Sequence, residues 1–491
     1  MKINRRDLMK GVLAASALSV AGKIQAKEAE KTQVVVIGGG LSGLNTALLL
    51  KDAGIDAIVL EGSDRVGGRV YTADDVETRP EYGASQIGRS YARLIALCSR
   101  FNLKLVPEHR HLMPMSNYIE KTWIKSTEWE NSPLNKTVGK ERKIIPPLLG
   151  SKLLIEANPL ENLNDWLDPK NAGYDISIGE LLRQRGVSEE AIKLASATTD
   201  MQNASALGML QEKNRTLFDA SFGGQKLEVI DRPYGFENKK GEHDGLAQIN
   251  NIEGGASRLP EAMAKALGDN VRMNKIVRQV DMNEKGAEVR CMDGSRFQCD
   301  YVVSAIPFST LQYVNIYPEV AGRQEEGIYT LNYVDTCRAF GIIEEPYWEE
   351  DGIEPSFFSD ETVQMFWALE KRPDEDKSRF MVVFTDNAAS RMDQMSKADA
   401  LALIESEINR MRPSTKGKLK FLDIYGWKND PLIQGCRHMY TPGQVNRFAK
   451  EMIEPHHRMH FAGEHTRRVD FGMESALESG ERVAFEILSR A

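Results

Sequence analysis

Residues 33–43 read QVVVIGGGLSG, and Glu61 closes the apolar run that follows. Gln33 to Ile37 make a short β-branched run suited to a buried parallel strand. Gly38, Gly40 and Gly43 then stand in GxGxxG spacing. In that spacing the first glycine allows a tight turn. The second lets backbone approach a pyrophosphate, and the third lets the next helix pack on the strand. Leu41 to Ala53 supplies that helix, whose N-terminal N–H groups favour an anion. Asp56 to Leu60 is the second strand. Glu61 lies 23 residues after Gly38, about where a carboxylate accepts hydrogen bonds from an adenosine ribose. A lone GxGxxG is weak; strand, glycines, helix, strand and acid in order point to a dinucleotide site.

The next residues choose between dinucleotides. Residues 61–70 read EGSDRVGGRV. Gly67 and Gly68, flanked by Arg65 and Arg69, would bring backbone N–H groups and a cation to the same phosphates. A nicotinamide enzyme does not need this second phosphate loop. The segment resembles the FAD-dependent amine oxidases, the family of monoamine, polyamine and L-amino-acid oxidases. FAGEHTRRVDFGMESALESGERVAF at 461–485 is similar to that family's closing FAD motif, YVVSAIP at 301–307 to its returning strand, and GW at 426–427 to its flavin-side tryptophan. The resemblance runs from about Gln33 to Arg490.

The resemblance implies FAD as cofactor. It implies a doubly wound, Rossmann-like α/β domain interwoven with a mixed α+β substrate domain and a helical cap. The FAD domain would take 33–82, 246–307 and 426–491, and the substrate domain 83–245 and 308–425. Candidate cofactor residues are Gly38, Gly40, Leu41, Ser42, Gly43, Glu61, Gly62, Arg65, Gly67, Gly68, Arg69, Gly83, Ala84, Ser85, Val277, Trp427, Cys436, Gly463, Glu464, Gly472 and Met473. Val277 would meet the adenine with its backbone, and Glu464 the phosphate-ribityl region. A closing helix starting near Met473 would turn its N-terminus to the flavin pyrimidine. Cys436 has the spacing at which mitochondrial-type monoamine oxidases hold FAD covalently. Its neighbour Arg437 breaks the rest of that motif, so the expectation is a noncovalent cofactor.

The candidate catalytic residues are Trp427, Arg338 and Arg437. Trp427 matches the tryptophan beside the isoalloxazine. Arg338 takes the place of the lysine that holds water near the flavin. The paired tyrosines of the monoamine oxidase branch are replaced by Arg437 and Gly472, and Gln86 stands near the place of a carboxylate-binding arginine. Arg437 would bind a substrate carboxylate, or else face a phosphate or solvent. The implied reaction is hydride transfer from an amine or amino acid to flavin. A quinone, a cytochrome or oxygen would be the electron acceptor, and a homodimer is the assembly expected. Two alternatives are a desaturase or porphyrinogen-type oxidase, and a catalytically idle FAD-binding partner protein.

The remaining features bound this reading. At 491 residues the chain is long enough for two or three domains. A net charge of −8 gives no support to nucleic-acid binding, and no apolar run after residue 30 is long enough to span a membrane. The first 26 residues resemble a twin-arginine signal: Arg5 and Arg6, then Asp7, Leu8, Met9 and Lys10, then a weakly apolar stretch from Gly11 to Gly22. Export of the folded protein to the periplasm is the expectation. His438, His456, His457, His460 and His465 are not spaced for a metal and read as surface or hydrogen-bonded side chains. Five cysteines show no metal spacing. A two-residue hairpin at Asp293-Gly294 would pair Cys291 with Arg296, away from Cys299.

Overall fold

A computed structural model describes residues 28–107, 115–221, 249–372 and 375–490. The expected leader, residues 1–26, lies outside the described residues. The opening βαβ unit forms as its pattern dictates: β1 is Val34–Ile37, α1 is Leu41–Asp52 and β2 is Ala57–Leu60. Every residue of β1 and β2 is buried, as a parallel strand covered on both faces requires. In the five-stranded parallel sheet the order is Met459–Phe461, Tyr301–Ser304, β1, β2, Val271–Arg272. The chain leaves β1 to one side through β2 and returns on its other side through Tyr301–Ser304. The strand order therefore reverses beside β1, where ligands bind in open α/β sheets.

Helix α1 is buried on nearly all sides because the closing helix, Gly472–Leu488, packs along it. Gly43 lets α1 lie close on β1, since a Cβ there would be 2.1 Å from the Gly38 carbonyl oxygen. Gly480 permits the contact between the two helices, since a Cβ there would be 2.5 Å from the Ser42 carbonyl oxygen. Asn45 Nδ2 donates to the Leu477 carbonyl at 2.9 Å and locks the pair.

Composition makes Val271 to Val280 and Arg296 to Ser304 read as one strand each, and the structure corrects both, together with the expected hairpin at Asp293-Gly294. Arg296 to Ser304 is not one strand. Arg296–Cys299 joins a second five-stranded sheet, the chain turns at Asp300, and Tyr301–Ser304 enters the parallel sheet. Val271 to Val280 likewise splits into Val271–Arg272 and Val277–Asn283, which belong to different sheets. The turn at 292–294 holds three residues, so Cys291 faces Ser295 across its backbone bond, and Arg296 faces Arg290. Gly294, with φ of +82°, supplies the left-handed residue of that longer loop. All five cysteines are free thiols.

The segment after residue 83 is not helical throughout. Met115–Ile119 and Thr122–Lys125 pair with each other, and the first adds in parallel to Ser356–Ser359. They complete a seven-stranded sheet with Met365–Leu369, Arg379–Thr385, Thr336–Ile343 and Leu419–Gly426. Helices Pro146–Ala157, Ile178–Gln184, Glu189–Ala195 and Ala206–Ser221 follow and share one apolar core. No helix among the described residues is long and apolar enough to cross a membrane.

Candidate active site

A cavity of about 460 Å3 opens at the carboxyl ends of β1, β2 and Tyr301–Ser304. It has a nucleotide end and a deeper end. At the nucleotide end the Glu61 carboxylate accepts from Gly39 N at 2.6 Å and Ser63 N at 2.8 Å, which pins the two turns together. The second glycine loop lies on the first, with Gly67 N donating to the Gly39 carbonyl at 2.9 Å. Lys275, Val277 and Arg278 close this end.

At the deeper end, Trp427 is 2% exposed and donates its indole N–H to the Tyr82 carbonyl at 3.0 Å. Arg338 Nη1 donates to the Gly83 carbonyl at 3.1 Å, while its Nε is buried with no partner among the described residues. Arg69 Nη1 reaches both the Cys436 carbonyl and Glu464 Oε2 at 3.2 Å. The other Glu464 oxygen lies 2.8 Å from His438 Nδ1. Burial alone would raise the Glu464 carboxyl. His438, Arg69 and Arg467 outweigh it and hold the group well below the usual carboxylate range. Burial pushes the His438 imidazole down against the opposite pull of Glu464, and its Nδ1–H donates to this carboxylate.

Beside this set stands Glu212, from helix Ala206–Ser221. Its Oε1 pairs with Arg437 Nη1 at 3.0 Å and Arg467 Nη1 at 2.8 Å. Burial would raise this carboxyl too, but the two guanidinium groups bring it down to about 2. Glu212 is therefore an anion between two cations, and all three line the cavity.

Almost every candidate residue lines this one cavity: Gly38, Gly40, Leu41, Ser42, Glu61, Gly62, Arg65, Gly67, Gly68, Arg69, Gly83, Ala84, Val277, Arg338, Trp427, Cys436, Arg437, Gly463, Glu464, Gly472 and Met473. Gly43 does not, because its place is the helix–strand contact. Ser85 does not either, and Gln86 is exposed outside it. Arg65 is drawn aside: its guanidinium lies 4.0 Å from the Tyr71 ring centroid, a cation–π contact. Of the histidines, His438 and His460 bond to Glu464 and Glu486, and His456 to the Pro318 carbonyl. Among the described residues no cluster could hold a metal ion.

Glu212, Arg467 and Tyr82 are missing from the sequence candidates. Glu212 is 225 residues from Arg437 and 255 from Arg467, so no spacing marks it. Arg467 does fall inside the FAGEHTRRVDFGMESA stretch, where its charge was a signal.

The cavity fits a dinucleotide on its own geometry. A Cβ on Gly40 would find nothing closer than 4.0 Å, so that face is open where Gly43 is jammed. Helix α1 and the closing helix both begin without a side-chain cap, at Gly40 and Phe471, and both N-termini line the cavity. Their free N–H groups suit negative charge at two places.

Residues 41–488 match the family model described as flavin containing amine oxidoreductase. The chain is 25% identical over 463 residues to a probable flavin-containing monoamine oxidase A of Dictyostelium discoideum, covering 92% of this chain and 97% of that one. It is 24% identical to human amine oxidase [flavin-containing] B, over 93% and 86% of the two chains. A wild-type putrescine oxidase structure bound to putrescine shares the fold with a TM-score of 0.74 at 23% identity, over 94% of this chain and 99% of that one.

Proposed function

Because this chain belongs to the flavin-containing amine oxidoreductases and is an FAD-dependent enzyme, we propose that its substrate is a primary or secondary amine or an amino acid. The amine-bearing carbon loses a hydride and its nitrogen a proton, and water hydrolyses the resulting imine to a carbonyl compound. The observation that carries this reading is the single cavity joining Glu61 to Trp427, Arg338 and the start of the closing helix. Acceptance of the hydride is the chemistry that FAD supplies when bound.

The chain's own residues bind, orient and exclude water. Glu61 would accept from the ribose hydroxyls, the α1 N-terminus and the Gly67-Gly68 loop would hold the pyrophosphate, and Val277 would meet the adenine. The Met473 N–H and the dipole of its helix favour negative charge beside them. Trp427 walls the reacting space and, with Tyr82 behind it, keeps it dry. No protein base is needed beyond solvent for the amine proton. The first 26 residues, outside the described ones, support export to the periplasm by a twin-arginine route. Oxygen, a quinone or a cytochrome then takes the electrons.

The test is anaerobic mixing of the yellow holoenzyme with a panel of amines and amino acids. Loss of the yellow colour with at least one member is expected. A protein that stays yellow with all of them is an idle FAD-binding protein or acts on another class of substrate, and the proposal fails.

A further inference from the structure

The deeper end of the cavity carries more fixed positive than negative charge. Arg69 and Glu464 cancel. What remains is Arg338, Arg437 and Arg467 against Glu212 and Asp430, and Asp430 stands on the Trp427 side, where it accepts from the Tyr425 hydroxyl. Asp386 and Asp200 lie close enough to be felt in this region, but neither lines the cavity.

The three arginines are not equally free. Arg467 is spent: Nη1 goes to Glu212, Nη2 to the Gly208 carbonyl at 3.2 Å, and its side chain is 2% exposed. Arg338 is tied to the Gly83 carbonyl. Arg437 is different. One nitrogen is bound to Glu212, yet the side chain remains 39% accessible on the cavity wall. Its backbone is fixed in the short strand Arg437–Met439, paired with Asn332–Val334. A guanidinium held on one side and open on the other presents parallel N–H donors, the arrangement that takes a carboxylate. A second ammonium group beside Arg437 would meet three cations, and the nearest anion, Glu212, is already shared by two of them.

Resting on the amine-oxidising reading, we propose that the substrate is an amine that also carries a carboxylate, and that the open side of Arg437 binds it. Glu212 and Arg467 are positioning residues that hold Arg437 in place. The carboxylate anchors one end of the molecule and leaves its amine-bearing carbon at the Trp427 side.

The experiment uses the holoenzyme under anaerobic conditions with matched pairs that differ by one carboxylate: leucine and 3-methylbutylamine, phenylalanine and 2-phenylethylamine, 4-aminobutanoate and butylamine. Flavin bleaching should favour the carboxylate member of at least one pair by about tenfold or more. A second readout needs no turnover: benzoate, but not benzamide, should perturb the flavin absorption spectrum. Arg437→Met with its full flavin content should lose benzoate affinity and the pair preference by about 10- to 100-fold. Arg437→Lys should restore part of both. Glu212→Gln should weaken benzoate binding, because Arg437 loses the anion that holds it in place. Equal or better bleaching by every carboxylate-free member, or unchanged benzoate binding in Arg437→Met, overturns the inference alone. Loss of FAD from both Arg437 variants also overturns it, since Arg437 would then hold the cofactor. If no compound bleaches the flavin, the amine-oxidising reading falls, while the benzoate titrations still decide whether Arg437 takes a carboxylate.

Discussion

The Glu61 carboxylate already holds two backbone N–H groups, from Gly39 and Ser63, and its remaining lone pairs face the cavity. A ribose bound there gains a charged acceptor worth about 1.5–3 kcal/mol. Glu61→Ala should therefore weaken FAD binding about 10- to 100-fold and loosen the first turn as well. The flavin-to-protein ratio after dialysis measures this, and a full complement in the variant would show that the ribose lies elsewhere. Arg338 allows a second expectation. It lines the deeper end and donates to the Gly83 carbonyl as part of a rigid planar fork. A lysine in its place has a mobile proton and can place a water for oxygen. Reoxidation of the amine-reduced enzyme by oxygen should be slow and should speed up in Arg338→Lys, as stopped-flow absorbance would record. Fast reoxidation by air-level oxygen, unmatched by any quinone or cytochrome, would rule this out.

Two glycines of one motif should fail in opposite ways when given a methyl group, and this separates packing from binding at the level of the element. Gly43→Ala drives a Cβ into the Gly38 carbonyl at 2.1 Å, so α1 must lift off β1. That change should lower the melting temperature of the flavin-free protein and its soluble yield, a cost of about 1–3 kcal/mol. Gly40→Ala has 4.0 Å of clearance and a φ of −77°, which alanine adopts freely. Its flavin-free protein should melt within a few degrees of wild type, by an effect of about 1 kcal/mol or less, while FAD affinity drops. Differential scanning fluorimetry with and without FAD distinguishes the two. The motif was legible because its glycines, β-branched strand and helix each carry a local requirement. Other elements carried no such mark. Arg296 to Ser304 keeps a continuous strand-like composition through Asp300, so nothing local announces the change of sheet. Met115–Ile119 is buried at all five positions and lies next to residues outside the described ones, so its sequence lacked the alternation that marks a half-buried strand.

Across the whole molecule, the parts of the site that were illegible are those made by segments far apart in the chain. Gly38, Glu61, Trp427 and Glu464 could be named in advance because each sits in a local motif. Glu212 could not, because its meaning is supplied by Arg437 and Arg467, more than 200 residues away. That same distance makes it a cross-link between the helical segment and the closing segment of the chain. Its pH dependence follows from its charge. The folded carboxyl titrates at about 2 instead of the ordinary 4.5, so folding favours the ionised form. The stabilisation is fully present above about pH 4.5 and is lost as pH falls through about 2. The difference corresponds to about 3 kcal/mol, since the side chain is only 16% accessible. Glu212→Gln keeps the shape and removes the charge, leaving two guanidinium groups without their anion. Thermal melts of wild type and Glu212→Gln should therefore differ most above pH 5 and converge as pH drops below 4.5, because wild type loses the same charge by protonation. A gap that stays constant from pH 7 to pH 3 would mean that the two arginines are held by packing and backbone carbonyls, not by the Glu212 anion.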